Sequence, residues 1–200
     1  GTVDAMVEIM YKIVGQDLEP VHGGKGAWEL GRRRNVGRGQ LERNQHGLSM
    51  TNVDWLVDWA FSWNGSFNTR LFEIEPHVEI EEFPMCWLAR EAELVREIGV
   101  LTKEKMILLA LDCMDTVPST FFTKKDLAAM DAIVNDWIQI DEILAGRGPK
   151  DGQAMMTYML QLAGSGGRLG DTANVLWAVR HEKTQNRKQQ GELLLRHLEG

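Results

Sequence analysis

Residues 69–83, "TRLFEIEPHVEIEEF", alternate apolar and acidic side chains with a period of two on both sides of Pro76 and His77. Alternation of this kind is typical of a β-strand with one buried face. All five prolines of the chain fall between periodic segments, and Pro76 divides this one into two halves. The stretch therefore predicts either a short hairpin that turns at Pro76 and His77 or an extended acidic loop.

The segments on either side of this stretch have helical spacing instead. Apolar residues recur every three or four positions in residues 3–14 and 51–63. The second segment also places Trp55, Trp59 and Trp63 on one helical face. Both segments are therefore predicted to be helices.

The C-terminal part of the chain predicts further helices. Gly99, Gly146 and Gly164 lie where a left-handed residue would end a helix. The expected helices span residues 85–98, 103–116, 124–145, 152–163 and 172–198.

The predicted fold class is therefore all-α, a multi-helix bundle made of two closely packed helical subdomains. The first subdomain, residues 1–98, contains the glycine-rich loop 15–49 and the small hairpin or extended acidic insertion described above. The second subdomain comprises residues 99–200.

The stretch "VLTKEKMILLALDCMDTVPSTFF", residues 100–122, predicts a helix that is apolar around most of its circumference. Such a helix is either embedded in a membrane or central in a bundle. The uncharged run from Met106 to Leu111 is shorter than the roughly 18 residues that a membrane span needs, and Asp112 and Asp115 interrupt it. We therefore predict a core helix.

The net charge of −7 is concentrated in one quarter of the chain. Residues 51–100 contain three arginines against ten acidic residues, so the remainder of the chain is neutral. Such polarity favours head-to-tail self-association or an oppositely charged partner. Cys86 and Cys113 suit a reducing compartment, which predicts a cytosolic or nuclear protein.

Few residues form a pattern that indicates catalysis or metal binding. The five histidines are scattered, and neither cysteine lies in a CxxC pair. The glycine-rich "HGGKG" at residues 22–26 lacks the spacing of a phosphate-binding loop, and "GSGG" at 164–167 is typical of a turn between helices. We therefore predict that the protein is not an enzyme and has no cofactor and no metal site.

Clusters of basic residues are the remaining candidates for a binding site. "GRRRNVGRG", residues 31–39, places four arginines in a flexible loop, where they are candidates for RNA binding or nuclear import: Arg32, Arg33, Arg34 and Arg38. A solvated loop is the alternative interpretation.

Lysines at the starts of two successive predicted helices form a second cluster, and their charge is unfavourable against the helix dipole without a partner. They are Lys103, Lys105, Lys124 and Lys125.

A third cluster of basic residues lies in residues 180–192, a segment that contains no apolar residue. Four bases line one face of that predicted helix: Arg180, Lys183, Arg187 and Lys188. A solvated helix explains the third cluster equally well.

Several motifs follow one another along the chain in an order that resembles the matrix protein of the influenza virus family, the Orthomyxoviridae. Leu101-Thr102-Lys103 precedes an apolar helix, and Thr116-Val117-Pro118-Ser119 precedes a second amphipathic helix. "TVDAMVEIMYKIVG" resembles the opening helix of that family, "TNVDWLVDWAF" its Asp-led helix, and "LLLRHLEG" its apolar pair before Arg-His-Glu. The family's basic helix motif and Cys/His cluster are absent, so the similarity is to a divergent member, of the fish isavirus type.

The resemblance implies a viral matrix protein, a structural protein of the virion that self-assembles under the envelope, binds anionic membrane and bridges to ribonucleoprotein. Its implied partners are further copies of itself, anionic lipid, viral ribonucleoprotein or RNA, and the tails of envelope glycoproteins. Its implied locations are the virion beneath the envelope, the host cytoplasm, the inner face of the plasma membrane and the host nucleus. On this prediction the second and third basic clusters bind the membrane.

Two other function classes stay open. One is an RNA-binding or packaging protein, similar to a nucleoprotein module and without a membrane role, that uses the loop arginines and the third basic cluster. The other is an enzyme or ligand carrier with a pocket among its tryptophan and methionine side chains. The carrier would be recognised by a sizeable cavity lined by convergent polar groups.

Overall fold

The computed structural model describes residues 8–21, 24–63, 68–102, 105–106, 108–109, 112 and 184–199. Five strands in this part of the chain form one antiparallel sheet: β1 (Met10–Val14), β2 (Arg34–Asn35), β3 (Leu48–Met50), β4 (Thr69–Phe83) and β5 (Cys86–Leu101). A 3-10 turn (Val53–Trp55) leads into helix α1 (Leu56–Trp63), and helix α2 (Thr184–Glu199) is the last described element.

A long hairpin of β4 and β5 is the centre of the sheet. Its ladder runs from the pair Thr69–Leu101 to the pair Phe83–Cys86, so Pro84 and Met85 form a two-residue turn. The register shifts three times along β4, which bends and twists the hairpin.

The predicted hairpin at Pro76 and His77 is therefore wrong, because the backbone continues as one strand through both residues. Proline is tolerated there because one of the register shifts lies between Pro76 and Val78, where the ladder of hydrogen bonds is already irregular.

The two ends of the sheet meet. β1 pairs with β4, whereas β3 pairs with the other side of the hairpin, along β5. Tyr11 of β1 and Thr51, next to β3, then exchange two backbone hydrogen bonds of 2.7 and 3.0 Å. The sheet thus curls around its core, where ten buried side chains cluster: Met10, Val14, Trp28, Leu48, Met50, Phe72, Ile74, Ala89, Ala92 and Leu94.

The all-α prediction is wrong for the described residues. The helix expected at 85–98 is part of β5, and Met10–Val14, expected to end a helix over 3–14, is β1. All five residues of β1 are buried, because both faces of this strand are covered, so no alternation marks it as a strand. In β5 the pairing with three other strands outweighs the helix propensities of its residues, which are worth less than about 1 kcal/mol each.

Other helix predictions agree with the structure where it describes them. The turn Val53–Trp55 and helix α1 confirm the helix at 51–63, and α2 confirms the end of the helix at 172–198. Gly99, predicted to end a helix, instead lies in β5, where a Cβ atom would stand 3.1 Å from the Cβ atom of Leu198 in α2. This glycine lets α2 approach the sheet closely.

The apolar helix predicted at 103–116 is described at five positions, all of them helical: Lys105, Met106, Leu108, Leu109 and Asp112. Met106 and Leu109 are completely buried, as expected of a core helix, whereas Leu108 is 36% exposed. None of the described helices is long and apolar enough to cross a membrane. The helices expected at 124–145 and 152–163 lie outside the described residues, and the division into two subdomains stays a prediction.

The turn of the central hairpin is anchored by two side-chain hydrogen bonds. The hydroxyl of Thr51 and the indole N–H of Trp59 both donate to the carbonyl oxygen of Met85, each over 3.1 Å. Replacing Thr51 with Val keeps the shape of this buried side chain but removes its donor. We expect Thr51→Val to lower the free energy of unfolding by about 1 kcal/mol in urea titrations. Thr51→Ser, which keeps the hydroxyl, should retain most of that free energy, and equal losses in both variants would contradict the role of this bond.

Candidate functional site

A cavity of about 680 Å³ lies beside β1, β3 and the turn of the central hairpin. We call it the basic cavity, because five basic side chains line it: Lys12, Lys25, Arg34, Arg43 and His46. Asp58 is the one acidic residue among the described residues that line it. The basic cavity therefore has a positive character in a chain whose net charge is −7.

The inner wall of the basic cavity is apolar and rigid. Trp28, Trp59 and Leu88 contribute buried side chains from the loop before β2, from α1 and from β5. The main-chain N–H of Trp28 donates to the carbonyl of Leu18 over 2.9 Å, which fixes the loop against the end of β1. Aromatic walls of this kind are typical of small-molecule sites, where a few polar groups orient the ligand.

Lys12 lies in the middle of β1, and only 7% of its surface is exposed. Its ammonium nitrogen donates to the carbonyl oxygen of Ser49 over 2.6 Å and lies 2.9 Å from the hydroxyl of the same residue. It also stands 5.7 Å from the ring centre of Trp28. Burial, reinforced by the positive charge of Arg34, lowers the pKa of Lys12 to about 7. Burial thus favours the neutral amine far more than in an exposed lysine.

Arg34 forms the wall beside Lys12. Its guanidinium stacks on Trp28, 5.0 Å from the ring centre, and donates to the carbonyl oxygens of Gly26, over 2.7 Å, and of Lys25. These bonds hold the loop before β2 in place. Arg34 therefore has a structural role as well as contributing positive charge to the basic cavity.

Cys86, the first residue of β5, lies on the inner wall. Burial raises the pKa of its thiol, and the charges of Arg43 and Lys12 oppose that rise. The direction of the shift keeps the thiol protonated at neutral pH, so Cys86 is not an activated nucleophile.

Three of the four arginines predicted to bind RNA line one surface pocket of about 350 Å³ beside Trp28: Arg32, Arg33 and Arg34. Arg32 is paired with Glu29 over 3.2 Å, and Arg33 lies 3.5 Å from Glu91. Arg38 is exposed and does not line the basic cavity, so of the four only Arg34 does. Arg32 and Arg33 thus form ion pairs at the surface pocket, Arg34 also lines the basic cavity, and RNA binding by the four arginines stays a prediction.

The predicted membrane-binding residues fall largely outside the described part of the chain. Arg187 on α2 covers the ring of Trp55, 4.2 Å from its centre, while Lys188 is exposed beside it. Lys105 is partly exposed in the apolar helix. Five of the predicted residues lie outside the described ones: Lys103, Lys124, Lys125, Arg180 and Lys183.

One group of side chains in the described part of the chain has the composition of a metal site. The ligand atoms of Glu75, His77 and Glu93 all lie within 4.8 Å of one another, and the Nε2 atom of His77 is 2.7 Å from Glu93. An imidazole and two carboxylates can hold a divalent cation. However, the guanidinium of Arg33 stands 3.9 Å from the same carboxylate of Glu93 and already offsets its charge. We therefore place no metal there.

Sequence reasoning missed most of the basic cavity. Lys12, Arg43 and His46 belong to no motif, and Lys12 is far from the other two in the chain. The one available signal was a lysine in the otherwise uncharged run "MYKIV" of β1, because a lone charge in a buried strand needs a partner or a function.

The fold and the basic cavity together define a class of protein: a curled antiparallel sheet whose edge loops enclose a ligand-sized, positively charged site. Comparisons with protein-family models, with curated proteins and with solved structures found no match to this chain. The functional argument therefore rests on the site.

Proposed function

We propose that this protein binds a small phosphate-bearing molecule in the basic cavity. One observation carries the proposal: four lysine and arginine side chains and one histidine converge on a single cavity that contains one acidic residue. Convergent polar groups were the feature expected of a ligand carrier, and the basic cavity supplies them together with an aromatic wall.

The size and chemistry of the basic cavity support a small ligand. Its volume of about 680 Å³ lies within the range of roughly 300–1,000 Å³ that is usual for small-molecule sites. Arg43 presents a guanidinium at the opening, where it can donate two hydrogen bonds to one phosphate group. Trp28 and Trp59 offer apolar surface to the remainder of the ligand.

The distribution of charge supports an anionic ligand as well. The arginines of the central hairpin are already paired with its acids: Arg70 with Glu97, and Arg96 with Glu73 over 3.2 Å. Asp58 is the one acid among the described residues that line the basic cavity, so the local field there attracts anions although the net charge of the chain is −7.

The matrix-protein function stays a prediction, as does RNA binding. The helices that the resemblance implied for residues 10–14 are a strand, so that part of the resemblance has lost its structural basis. The test of the proposed function therefore includes RNA and lipid vesicles as competing ligands.

Isothermal titration calorimetry with pyrophosphate tests the proposal. We expect saturable binding by the wild-type protein, weakening as salt increases. Arg43→Ala should weaken binding by at least about tenfold, because one charge-assisted hydrogen bond contributes roughly 1.5–3 kcal/mol. Arg38→Ala is the matched control, since Arg38 lies in the same basic region of the sequence but does not line the basic cavity.

Two results would contradict the proposal. One is equal affinity of the wild-type protein and Arg43→Ala for pyrophosphate. The other is the absence of pyrophosphate binding in a protein that binds single-stranded RNA or phosphatidylserine vesicles tightly. That second result would favour the nucleoprotein-like or the matrix function, according to which of the two ligands binds.

A further inference from the structure

We propose that the ε-amine of Lys12 forms a reversible covalent bond with an aldehyde-bearing ligand whose phosphate group is held by the other bases of the basic cavity. This inference rests on the proposed function and adds to it the carbonyl chemistry of the ligand and the residue that captures it. Lys12 is otherwise difficult to explain, because a structural position in the middle of a buried strand favours an apolar residue.

The position of the amine suits a nucleophile. Lys12 projects from the rigid sheet, and Ser49 on β3 fixes its nitrogen with two polar contacts of 2.6 and 2.9 Å. The same residue lines the basic cavity, so an aldehyde that enters the cavity meets a positioned amine. Positioning of this kind removes much of the entropic barrier to bond formation.

The surroundings of Lys12 favour its neutral, nucleophilic form. Burial and the guanidinium of Arg34 on β2 disfavour the ammonium, and the pKa falls to about 7. Asp58 on α1 and Cys86 on β5 also line the basic cavity. The influence of Cys86 is in the opposite direction, toward a higher pKa, and is the smallest of the three causes. Desolvation beside another cation is a recognised way to activate a lysine for imine formation.

The chemical step is a condensation without oxidation or reduction. The nitrogen lone pair of neutral Lys12 attacks the carbonyl carbon of the aldehyde, and a C–N bond forms. Two proton transfers convert the carbonyl oxygen to water, which leaves as the C=N double bond of the imine forms. Water reverses the step by adding to the imine carbon. The hydroxyl of Ser49, 2.9 Å from the nitrogen, is placed to relay a proton.

The phosphate group gives the ligand its orientation. Arg43 and Lys25 lie exposed near the opening of the basic cavity, whereas Lys12 lies on its inner side. A ligand that carries an aldehyde at one end and a phosphate at the other can therefore contact both. The inference thus predicts selectivity for aldehydes that carry a phosphate over those that do not.

Reductive trapping with pyridoxal 5′-phosphate as the probe tests the inference on the intact wild-type chain. The probe is mixed with protein in equimolar amounts, the imine is reduced with sodium borohydride, and the modified lysine is identified by peptide mass spectrometry. We expect labelling of Lys12 to exceed that of the exposed Lys25 by at least about tenfold, because placement and activation favour one amine. Lys12→Arg, which keeps the charge but cannot form an imine, should lose this label.

The outcomes separate this inference from the proposed function. Preferential labelling of Lys12 that pyrophosphate suppresses supports both. Equal labelling of Lys12 by pyridoxal, which has no phosphate, would support covalent capture and overturn the phosphate ligand. Pyrophosphate binding together with labels on other lysines and none on Lys12 would overturn covalent capture and leave the proposed function standing. Since the mapping uses the wild-type chain, no variant needs to fold for the decision.

Discussion

Raising the pH from 7 to 10 is expected to stabilise the wild-type protein by about 3 kcal/mol more than it stabilises Lys12→Met. The pKa of Lys12 is about 7 in the folded protein, against 10.5 for an ordinary lysine side chain. Between these values the unfolded chain binds the proton and the folded protein does not, so the free energy of unfolding rises with pH. The contribution is greatest above pH 10.5 and is lost as the pH falls to about 7. One pKa unit corresponds to about 1.4 kcal/mol, which sets the size of the effect.

Urea unfolding at pH 7, 8, 9 and 10 measures this difference. Lys12→Met removes the titrating group and keeps a long apolar side chain on β1. The contribution of Lys12 is therefore the pH-dependent change in the free energy of unfolding of the wild type minus the same change in the variant. Lys25→Met serves as the matched control, because Lys25 lines the same cavity from an exposed position. Parallel pH dependence in the wild type and in Lys12→Met would show that Lys12 keeps an ordinary pKa and is not desolvated.

Gly191→Ala is expected to lower the free energy of unfolding by about 3 kcal/mol, although alanine is the better helix former. A Cβ atom on Gly191 of α2 would clash with the backbone carbonyl of Val53 and stand 2.8 Å from the Cγ2 atom of that residue. Neither α2 nor the 3-10 turn can relax without losing packing, so the cost lies at the upper end of the range for overpacking. An exposed helical glycine would show the opposite sign, since alanine favours a helix by roughly 1 kcal/mol.

A loss of stability in Gly191→Ala therefore indicates that α2 packs against the turn at Val53, whereas a gain indicates that Gly191 is exposed. Gln189→Ala is the matched control, because Gln189 is exposed on the same helix and should change the stability little. Gly191→Ala proteins that are as stable as the wild type in urea, or more stable, would contradict the docked position of α2.

The long hairpin shows what the sequence could and could not predict. Residues 69–83 have the alternation of a strand, but that signal was interpreted as a short hairpin or an extended acidic loop and not as the single strand β4. Its partner, Cys86–Leu101, has alanine, leucine, glutamate and arginine at most positions, which individually favour a helix. The strand exists because β2, β3 and β4 pair with it, and such non-local pairing leaves no trace in a local window.

The position of the turn was hidden for a related reason. Pro76 looked like the end of a strand, whereas Pro84 and Met85 form the turn. Met85 adopts a positive φ of 63°, a conformation usually signalled by glycine or asparagine. Hydrogen bonds from Thr51 and Trp59 to the Met85 carbonyl support this turn from outside the hairpin, and local turn chemistry does not reveal them.

The basic cavity was even less accessible to prediction. Arg34 was singled out as one of several loop arginines, but its role depends on stacking against Trp28 and on contacts with the backbone of the loop. Lys12 was interpreted as part of a helix, and a helix at this position gives no indication of the strands and loops that surround Lys12 in the sheet. A site assembled from four strands, one helix and the loops between them needs the fold before it can be recognised.

The most direct test of the central claim, that the basic cavity binds phosphate-bearing ligands, is a ¹H–¹⁵N NMR titration of the intact protein with pyrophosphate. We predict saturable shifts that centre on the amides of Arg43, Gly47 and Ser49, and that are strongly reduced in Arg43→Ala. Saturable shifts centred instead on Lys188 and the exposed face of α2, or no saturable shifts at all, would contradict the claim.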